Sequence, residues 1–182
     1  MIIESLSLNG LKLIRPKLFQ DERGYFFENF HYEKFLEAGI DLKIMQQNRS
    51  KSKKGIIRGL HYQVVNPQGK LVTVLSGEIY DVAVDLRRSS PTFLKWQGVI
   101  LNDENKYSLW IPPGFAHGFY VRSNWAEVEY STSDVYNPAG ERTILWNDPQ
   151  LNIIWGIEDG TEPVLSDKDQ KGLILEDAEF YE

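Results

Sequence analysis

The sequence predicts an all-β fold, a sandwich or barrel of short strands with little helix. Segments with strand character recur at roughly 8–12-residue spacing along most of the chain, and turn residues separate them. Aromatic residues make up 13% of the chain, and aromatic side chains favour strands. With 182 residues and no repeat or obvious linker, we expect one domain over residues 1–182 with a full hydrophobic core.

The first elements alternate strand and turn signals. Residues 11–14 alternate in polarity and then meet Pro16, which predicts a short edge strand because proline cannot donate to a central ladder. Turn chemistry at residues 21–24 precedes an aromatic segment over residues 25–30, which we predict as the next strand.

A short helix interrupts this pattern. It is expected over residues 32–38, since Gly39 suits the C′ position that ends a helix. Residues 42–48 are then predicted as a strand, and the basic segment 49–54 as a solvated loop. The stretch from Leu165 to the end is expected to dock as a tail or a short helix.

Strands continue through the second half of the chain. They are expected at residues 70–75, 78–86, 93–101, 106–111, 116–122, 125–131 and 142–146. In the second of these, Ile79, Asp81, Ala83 and Asp85 share one face, and the other face is bulky and apolar. The apolar face is therefore expected to pack a core, and the small, acidic face could line a polar cavity.

Composition excludes several functional classes. A net charge of −6 and a pI near 5.2 argue against a nucleic-acid or membrane-surface binder, which needs a basic face. The chain has no cysteine, so disulfides, thiolate metal sites and cysteine nucleophiles are ruled out. No signal peptide and no apolar run of about 18 residues is found, so we expect a cytoplasmic protein.

Two histidine motifs stand out, because the chain has only three histidines. In the first, the cations Arg58 and Lys70 flank His61 in apolar, glycine-framed sequence. The second, at residues 111–119, contains P-x-G-x-x-H and places its histidine at position 117. Such clusters often mark functional sites, although a structural histidine between two surface cations is the alternative.

Both motifs resemble those of the cupin jelly-roll superfamily. In the first cupin motif a glycine is followed by five residues, His-x-His, a carboxylate, six residues and a second glycine. Here Gly55 and His61 have that spacing, as do Lys70 and Gly77, but Gln63 replaces the second histidine and the lysine replaces the carboxylate. An ammonium cannot ligate a metal. The resemblance therefore implies a cupin-type jelly roll with a few short peripheral helices and a site that needs no metal and no cofactor.

A longer set of motifs is similar to that of the dTDP-4-dehydrorhamnose 3,5-epimerase family, in the same order along nearly the whole chain. These motifs are residues 21–28, 46–50, 58–63, 68–72, 81–85, 90–93, 112–119, Tyr130 with Tyr136, 146–148 and 165–169. The resemblance implies a substrate, a dTDP-4-keto-6-deoxyhexose, on the route to dTDP-L-rhamnose or a related deoxysugar. It also implies a reaction, in which a proton next to the 4-keto group is removed and returned from the opposite face, at C5 and C3.

Such a reaction needs a base, a donor for the enolate oxygen and an acid on the opposite face. We expect His61 as the base, because the pKa of imidazole lies nearest working pH. The resemblance implies Asp169 behind it to fix its tautomer, Lys70 at the enolate, and Tyr130 as the acid. Without the resemblance, the sequence suggests only a solvated tail charge at Asp169 and a core aromatic at Tyr130.

The resemblance also implies the residues that hold the nucleotide sugar. They are Arg23, Phe26, Glu28, Gln46, Asn48, Arg58, Tyr136 and Glu141. His117 ends a turn that should point it inward, so we expect it to contact the substrate or to support a residue that does, and a packed structural histidine is the alternative. The two arginines match the diphosphate, since a guanidinium fits phosphate oxygens, and Tyr136 would stack on the base. In this family the segment with Arg23 and Phe26 reaches the partner subunit's site, so a homodimer is expected.

Three departures from frequent family residues leave the substrate range open. They are Leu94, Ser131 and the pair Trp155–Gly156. A mono-epimerase acting at C3 or C5 alone and a 3,4-ketoisomerase are therefore alternatives. A metal-dependent cupin enzyme and a non-catalytic nucleotide-sugar-binding module are the other hypotheses. Metal analysis would identify the first, and binding without solvent deuterium incorporation would identify the second.

Overall fold

The computed structural model describes residues 1–158 and 160–182. Most strands belong to two antiparallel sheets, and the first sheet has six. In spatial order they are β1 (Ile2–Ser5), β2 (Lys12–Arg15), β10 (Ser108–Ile111), β7 (Lys70–Ser76), β12 (Trp125–Thr132) and β5 (Gln46–Lys53).

The second sheet has five strands and faces the first. In spatial order they are β13 (Glu141–Thr143), β6 (Ile57–Gln63), β11 (Phe115–Val121), β8 (Glu78–Asp85) and β9 (Trp96–Asn102). A separate hairpin consists of β3 (Phe19–Asp21) and β4 (Gly24–Phe26). The all-β prediction is thus confirmed.

The main core lies between the two sheets. Buried side chains from both contribute to it, among them Val72 and Val128 from the first sheet and Ile79, Leu101 and Phe119 from the second. Alternation along each strand sends every second residue into this layer. Toward one end of the sandwich the layer between the sheets is apolar. Around His61 and His117 polar side chains line it instead.

Two further layers cover the outer faces. Helix α1 (Tyr32–Glu37) packs Phe35 against Trp110 and its neighbours on the six-stranded sheet. The C-terminal segment packs on the five-stranded sheet, where Val82 and Val84 meet Trp155. This segment includes helix α2 (Asp167–Gln170) and a 3₁₀ turn (Leu175–Asp177), so it is docked as expected.

Both faces of β8 are therefore buried. Tyr80, Val82 and Val84 pack under the C-terminal segment, as expected from their bulk. On the other face, Ile79 and Ala83 belong to the main core, and Asp81 is fully buried between them. The small, acidic face is thus buried throughout, with two carboxylates: Asp81 pairs with His117, and Asp85 pairs with Arg87.

Two glycines let β6 and β11 approach closely. A Cβ added to Gly59 would lie 2.5 Å from the Cα of Gly118, and one added to Gly118 would lie 2.7 Å from the carbonyl oxygen of Arg58. Gly59 also has φ of +123°, which side chains of L-residues rarely adopt. The register shifts at this point and places His61 directly opposite His117, so both imidazoles share one face of the sheet.

Several predicted boundaries are wrong, and β2, predicted as an edge strand, lies inside its sheet because β1 and β10 pair with it on either side. The basic segment 49–54 is largely strand, because β5 runs through Lys53 and pairs with β12 over its whole length. The strand predicted at residues 42–48 begins only at Gln46, since Leu42 instead packs under α1. The aromatic strand expected over 25–30 ends at Phe26. In each case packing against other elements outweighs local residue preference.

Candidate active site

A cavity of about 200 Å³ opens between the two sheets. Both sheets supply its lining, which is mostly polar and cationic. The first sheet contributes Asn48, Arg49, Ser50, Lys70 and Tyr130, and the second contributes Arg58, His61, His117 and Phe119. Most of the residues expected from the two histidine motifs therefore meet in one place.

His61 forms a close pair with Asp169 behind the cavity wall. The distance from His61 Nε2 to Asp169 Oδ1 is 2.6 Å. Asp169 is 3% exposed and also accepts hydrogen bonds from the Ser166 hydroxyl at 2.7 Å and the Gly59 amide at 3.3 Å. Burial opposes ionisation of Asp169, but these hydrogen bonds outweigh it and lower its pKa. The carboxylate is thus charged and held in place.

This pairing determines which nitrogen of His61 is free. An ionised carboxylate only accepts hydrogen bonds, so Nε2 carries the proton that it donates to Asp169. Burial lowers the pKa of His61, and the nearby charges of Lys168 and Lys70 lower it further, against the opposing effect of Asp169. At neutral pH the ring is therefore neutral with a lone pair on Nδ1, and it is able to accept a proton.

Lys70 brings a cation to the same cavity. It lies in β7, and its Nζ donates a hydrogen bond to the His61 carbonyl oxygen at 3.3 Å, across the sandwich. Burial lowers the pKa of Lys70 to about 8, although the charges of Asp81 and Glu141 oppose the shift. Below that pH the side chain is an ammonium group with protons left to donate to a ligand oxygen.

Tyr130 lines the same cavity as His61, from the opposite sheet. Its ring packs on Phe119 and lies edge-on to His117, with centroid distances of 6.4 Å and 6.2 Å. Its hydroxyl is 3.1 Å from the Ser50 hydroxyl. Burial raises the pKa of Tyr130 far above its ordinary value, while Ser50 and the charge of Arg58 oppose the rise. The phenol therefore stays protonated and is available as an acid.

His117 is part of a second histidine–carboxylate pair. Its Nε2 lies 2.9 Å and 3.1 Å from the two carboxylate oxygens of Asp81. Both side chains are almost completely enclosed, at 5% and 0% exposure. Because His117 also lines the cavity, it presents a ring edge to the site while β8 holds its other side.

Of the other binding candidates, Asn48 and Arg58 line the cavity, and hydrogen bonds link Gln46, Tyr136 and Glu141 to it as a rim. The Gln46 amide donates to the Asn48 side chain at 2.9 Å and accepts from the Tyr136 backbone amide at 2.9 Å. The Tyr136 hydroxyl donates to Glu141 at 2.8 Å, and Lys168 pairs with the same carboxylate. Tyr136 is 49% exposed, so its ring is free to stack. Arg58, which lines the cavity, donates a hydrogen bond from Nε to the Ser52 hydroxyl at 2.9 Å.

Three of the expected binding residues lie elsewhere. Arg23 pairs with Asp21 on the exposed β3–β4 hairpin, and Phe26 lies beside it with 71% exposure. Glu28 pairs with Lys34 near α1. None of the three lines the cavity of its own chain, so a single chain does not assemble the whole predicted set.

The structure adds partners that the sequence predictions did not assign. Ser50 contacts Tyr130, Asp81 holds His117, Ser166 binds Asp169, and Lys168 pairs with Glu141. The small, acidic face of β8 gave a signal for Asp81. Ser50 lies within the motif at residues 46–50, and Ser166 and Lys168 lie within that at 165–169, but no role was assigned to them because their segments were predicted as a loop and a tail.

In the described residues, no group of three or more histidine, cysteine, aspartate or glutamate side chains converges as a metal site would require. Lys70 and Gln63 stand at the positions compared above with cupin ligands, and Gln63 is used structurally: its amide donates to the Asn66 carbonyl at 2.8 Å. Among the helices described, none is both long and apolar enough to cross a membrane.

Comparison with known proteins decides the family. The model of the family described as dTDP-4-dehydrorhamnose 3,5-epimerase matches residues 5–177. The chain belongs to this family. The predicted family, its activity and its enzyme class, an isomerase, are thereby confirmed.

Individual relatives agree over nearly their full length. The dTDP-4-dehydrorhamnose 3,5-epimerase of Shigella flexneri is 52% identical over 171 residues, with 93% of each chain covered. That of Pseudomonas aeruginosa is 49% identical over 177 residues, with 97% of each covered. The crystal structure of dTDP-6-deoxy-D-glucose-3,5-epimerase from Legionella pneumophila, in complex with dTDP-4-keto-L-rhamnose, is 47% identical. It aligns with a TM-score of 0.93 over 98% of this chain and 94% of that one. The fold is therefore the cupin-type jelly roll that the motifs predict.

Proposed function

We propose that this chain epimerises a dTDP-4-keto-6-deoxyhexose at C3 and C5 by proton transfer across the cavity, without a cofactor. One observation supports this most strongly. A neutral imidazole and a protonated phenol come from opposite sheets and line the same small cavity. Inversion needs this arrangement, because the proton must leave one face of the carbon and return to the other.

The abstraction step uses His61. Its Nδ1 takes the proton from the carbon next to the keto group, and the electron pair moves onto the keto oxygen as an enolate. Asp169 holds the ring and stabilises the imidazolium that forms. The ammonium of Lys70 stabilises the negative oxygen, which is the type of electrostatic contribution that lowers such barriers most.

The return step uses Tyr130. Its O–H bond breaks as a C–H bond forms on the opposite face, and a phenoxide remains. For inversion at a second carbon the two groups must first be reset by proton exchange with water. His117 contacts the sugar at the edge of the cavity, and its pairing with Asp81 fixes the orientation of the ring.

The nucleotide lies outside this cavity. About 200 Å³ is less than the roughly 300–1,000 Å³ of typical pockets for drug-sized ligands, so only the sugar fits inside. Arg58 then binds the diphosphate, Tyr136 stacks on the thymine, and Gln46, Asn48 and Glu141 donate or accept hydrogen bonds along the rim. A cytoplasmic location is part of this proposal, and cell fractionation would test it.

A homodimer completes the site. The β3–β4 hairpin exposes the aromatic rings of Phe19, Tyr25 and Phe26 and the fork of Arg23, and an exposed aromatic group with a cation is typical of an interaction surface. In a two-fold dimer the hairpin of one subunit, together with Glu28, would reach the rim of its partner's cavity.

Mixed dimers test whether the site is shared. Arg23→Ala and His61→Ala are each expected to be inactive as homodimers. After dissociation and random reassembly about half of the dimers are mixed, and each has one intact site, so about a quarter of wild-type activity returns. If the hairpin served its own chain, mixing would restore nothing.

The reaction itself is tested by NMR with dTDP-4-keto-6-deoxyglucose in D₂O. We expect deuterium at both C3 and C5 and the inverted product. Deuterium at one carbon alone would identify a mono-epimerase, and tight binding without any deuterium would identify a binding module. Activity that requires stoichiometric Fe, Zn or Mn bound to His61 and His117 would contradict the metal-free mechanism.

A further inference from the structure

Ser50 lies beside the phenol of Tyr130 and has no role in the steps above. Its Oγ is 3.1 Å from Tyr130 Oη, and both side chains line the cavity. In the β5–β12 ladder Ser50 is opposite Val128 and Tyr130 is opposite Asn48. The two are therefore diagonal neighbours on one face, within reach of each other's side chains, and the register of the sheet fixes their contact.

The direction of this hydrogen bond matters for the reaction. Either hydroxyl is able to donate. If Tyr130 donated to Ser50, its proton would point away from the substrate carbon. If Ser50 donates, the phenolic proton is free to point at the carbon. The phenoxide that remains after transfer then already has a donor at its oxygen.

Within residues 1–158 and 160–182, no other donor lies at hydrogen-bond distance from Tyr130 Oη. Among the described residues, Ser50 is the one whose side chain is hydrogen-bonded to Tyr130 Oη. The charged or titratable side chains around the phenol are Arg49 on β5, Arg58 and His61 on β6, Lys70 on β7, Asp81 on β8 and His117 on β11. The charge of Arg58 favours a phenoxide and that of Asp81 opposes it.

We propose that Ser50 is a positioning residue for the acid: it donates a hydrogen bond to Tyr130 Oη, aims the phenolic proton at the substrate and stabilises the phenoxide. This inference rests on the proposed epimerase function. Ser50 keeps its own proton throughout, so the balance of the transfer is unchanged. Only the O–H bond of Tyr130 breaks, and only the C–H bond of the product forms.

The test compares inversion with isotope exchange in Ser50→Ala, using dTDP-4-keto-6-deoxyglucose in D₂O. We expect kcat for inversion to fall about tenfold with KM within about twofold, since one hydrogen bond to a charged group is worth about that factor. Deuterium incorporation without inversion should persist, because His61 is intact. The ratio of exchange to inversion therefore rises, which a general loss of structure does not produce.

Two matched variants complete the test. Ser50→Thr keeps the hydroxyl and should restore the wild-type ratio, and Lys51→Ala, on the exposed face of the same strand, should leave it unchanged. If Ser50→Ala does not fold, Ser50→Cys keeps a side chain of similar size with a weak donor, and the same rise is expected. Equal losses of exchange and inversion, or an unchanged ratio, would overturn the role of Ser50. A wild-type protein that incorporates no deuterium would overturn the epimerase function as well.

Discussion

Two histidine–carboxylate pairs lie side by side in the five-stranded sheet, and they differ in what each imidazole can reach. The side chain of His61 is 28% exposed, whereas that of His117 is 5% exposed. Their carboxylates also differ in origin. Asp81 belongs to the neighbouring strand β8, but Asp169 comes from the short helix α2 in the C-terminal segment.

This difference shows that pairing alone does not define a base. Both rings are oriented by a carboxylate at Nε2 and both line the cavity, but the side chain of His61 is the more accessible of the two. A carboxylate supplied from outside the sheet can hold the ring from behind, which leaves the cavity side free. The predictions below test whether the two pairs divide chemistry and structure in this way, beginning with the largest expected effect.

The first prediction removes the base. His61→Ala should lower kcat by about 10³-fold or more, because general base catalysis contributes roughly 10²–10⁴, and deuterium incorporation at C3 and C5 should stop. The third histidine supplies the control: His31, at the start of α1 and outside the cavity, should tolerate alanine without loss of turnover. NMR in D₂O measures both variants, and persistent exchange in His61→Ala would assign the base elsewhere.

The second prediction concerns Lys70, the cation that the opposite sheet brings to the cavity. Lys70→Met should lower kcat by about 10²-fold, since a single donor to a developing oxyanion is worth roughly that much. In the wild type, activity should fall as pH rises through the pKa of Lys70 at about 8, because the ammonium loses its charge there. Lys70→Arg keeps the charge at higher pH, so its alkaline limb should move upward. An unchanged pH profile in that variant would argue against Lys70 at the enolate.

The third prediction neutralises Asp169, the carboxylate that α2 supplies to His61. Asp169→Asn should lower kcat by about 10²-fold, because the amide no longer selects the tautomer with a free Nδ1. Activity needs neutral His61 and is lost as pH falls through its pKa. Asp169 opposes the lowering of that pKa, so its removal should shift the acid limb to still lower pH. A pH–rate profile measures the shift, and an upward shift would contradict this account.

The sequence predicts the site residues of the two histidine motifs better than it predicts Tyr130 or Asp169. His61, Lys70 and His117 follow from two local motifs, because strand alternation and glycine spacing determine where such side chains point. Asp169 carries no local signal. It lies 108 positions from its partner in the chain, and only docking of the C-terminal segment makes it a buried carboxylate.

The basic segment 49–54 shows a different failure of sequence-based prediction: a strand was predicted as a loop. Residues 49–54 look like a loop because of their lysines and serines, yet they complete strand β5 at the sheet edge, where lysines remain solvated on the outer face. Ser50 and Ser52 point inward along the same strand. A pattern of polar residues therefore could not distinguish a loop from an edge strand that lines a polar cavity.

The last prediction tests the His117–Asp81 pair and has the smallest expected effect on turnover. Asp81→Asn should lower kcat less than about tenfold, because His117 removes no proton. It should instead destabilise the fold by about 1–3 kcal/mol, since a buried hydrogen-bonded group loses its charged partner. Urea unfolding measures that loss, and Asp169→Asn is the matched comparison, with a larger effect on kcat. If Asp81→Asn stopped turnover in a fully stable protein, the His117–Asp81 pair would take part in proton transfer. Exposure of the imidazole would then not be what separates the two pairs.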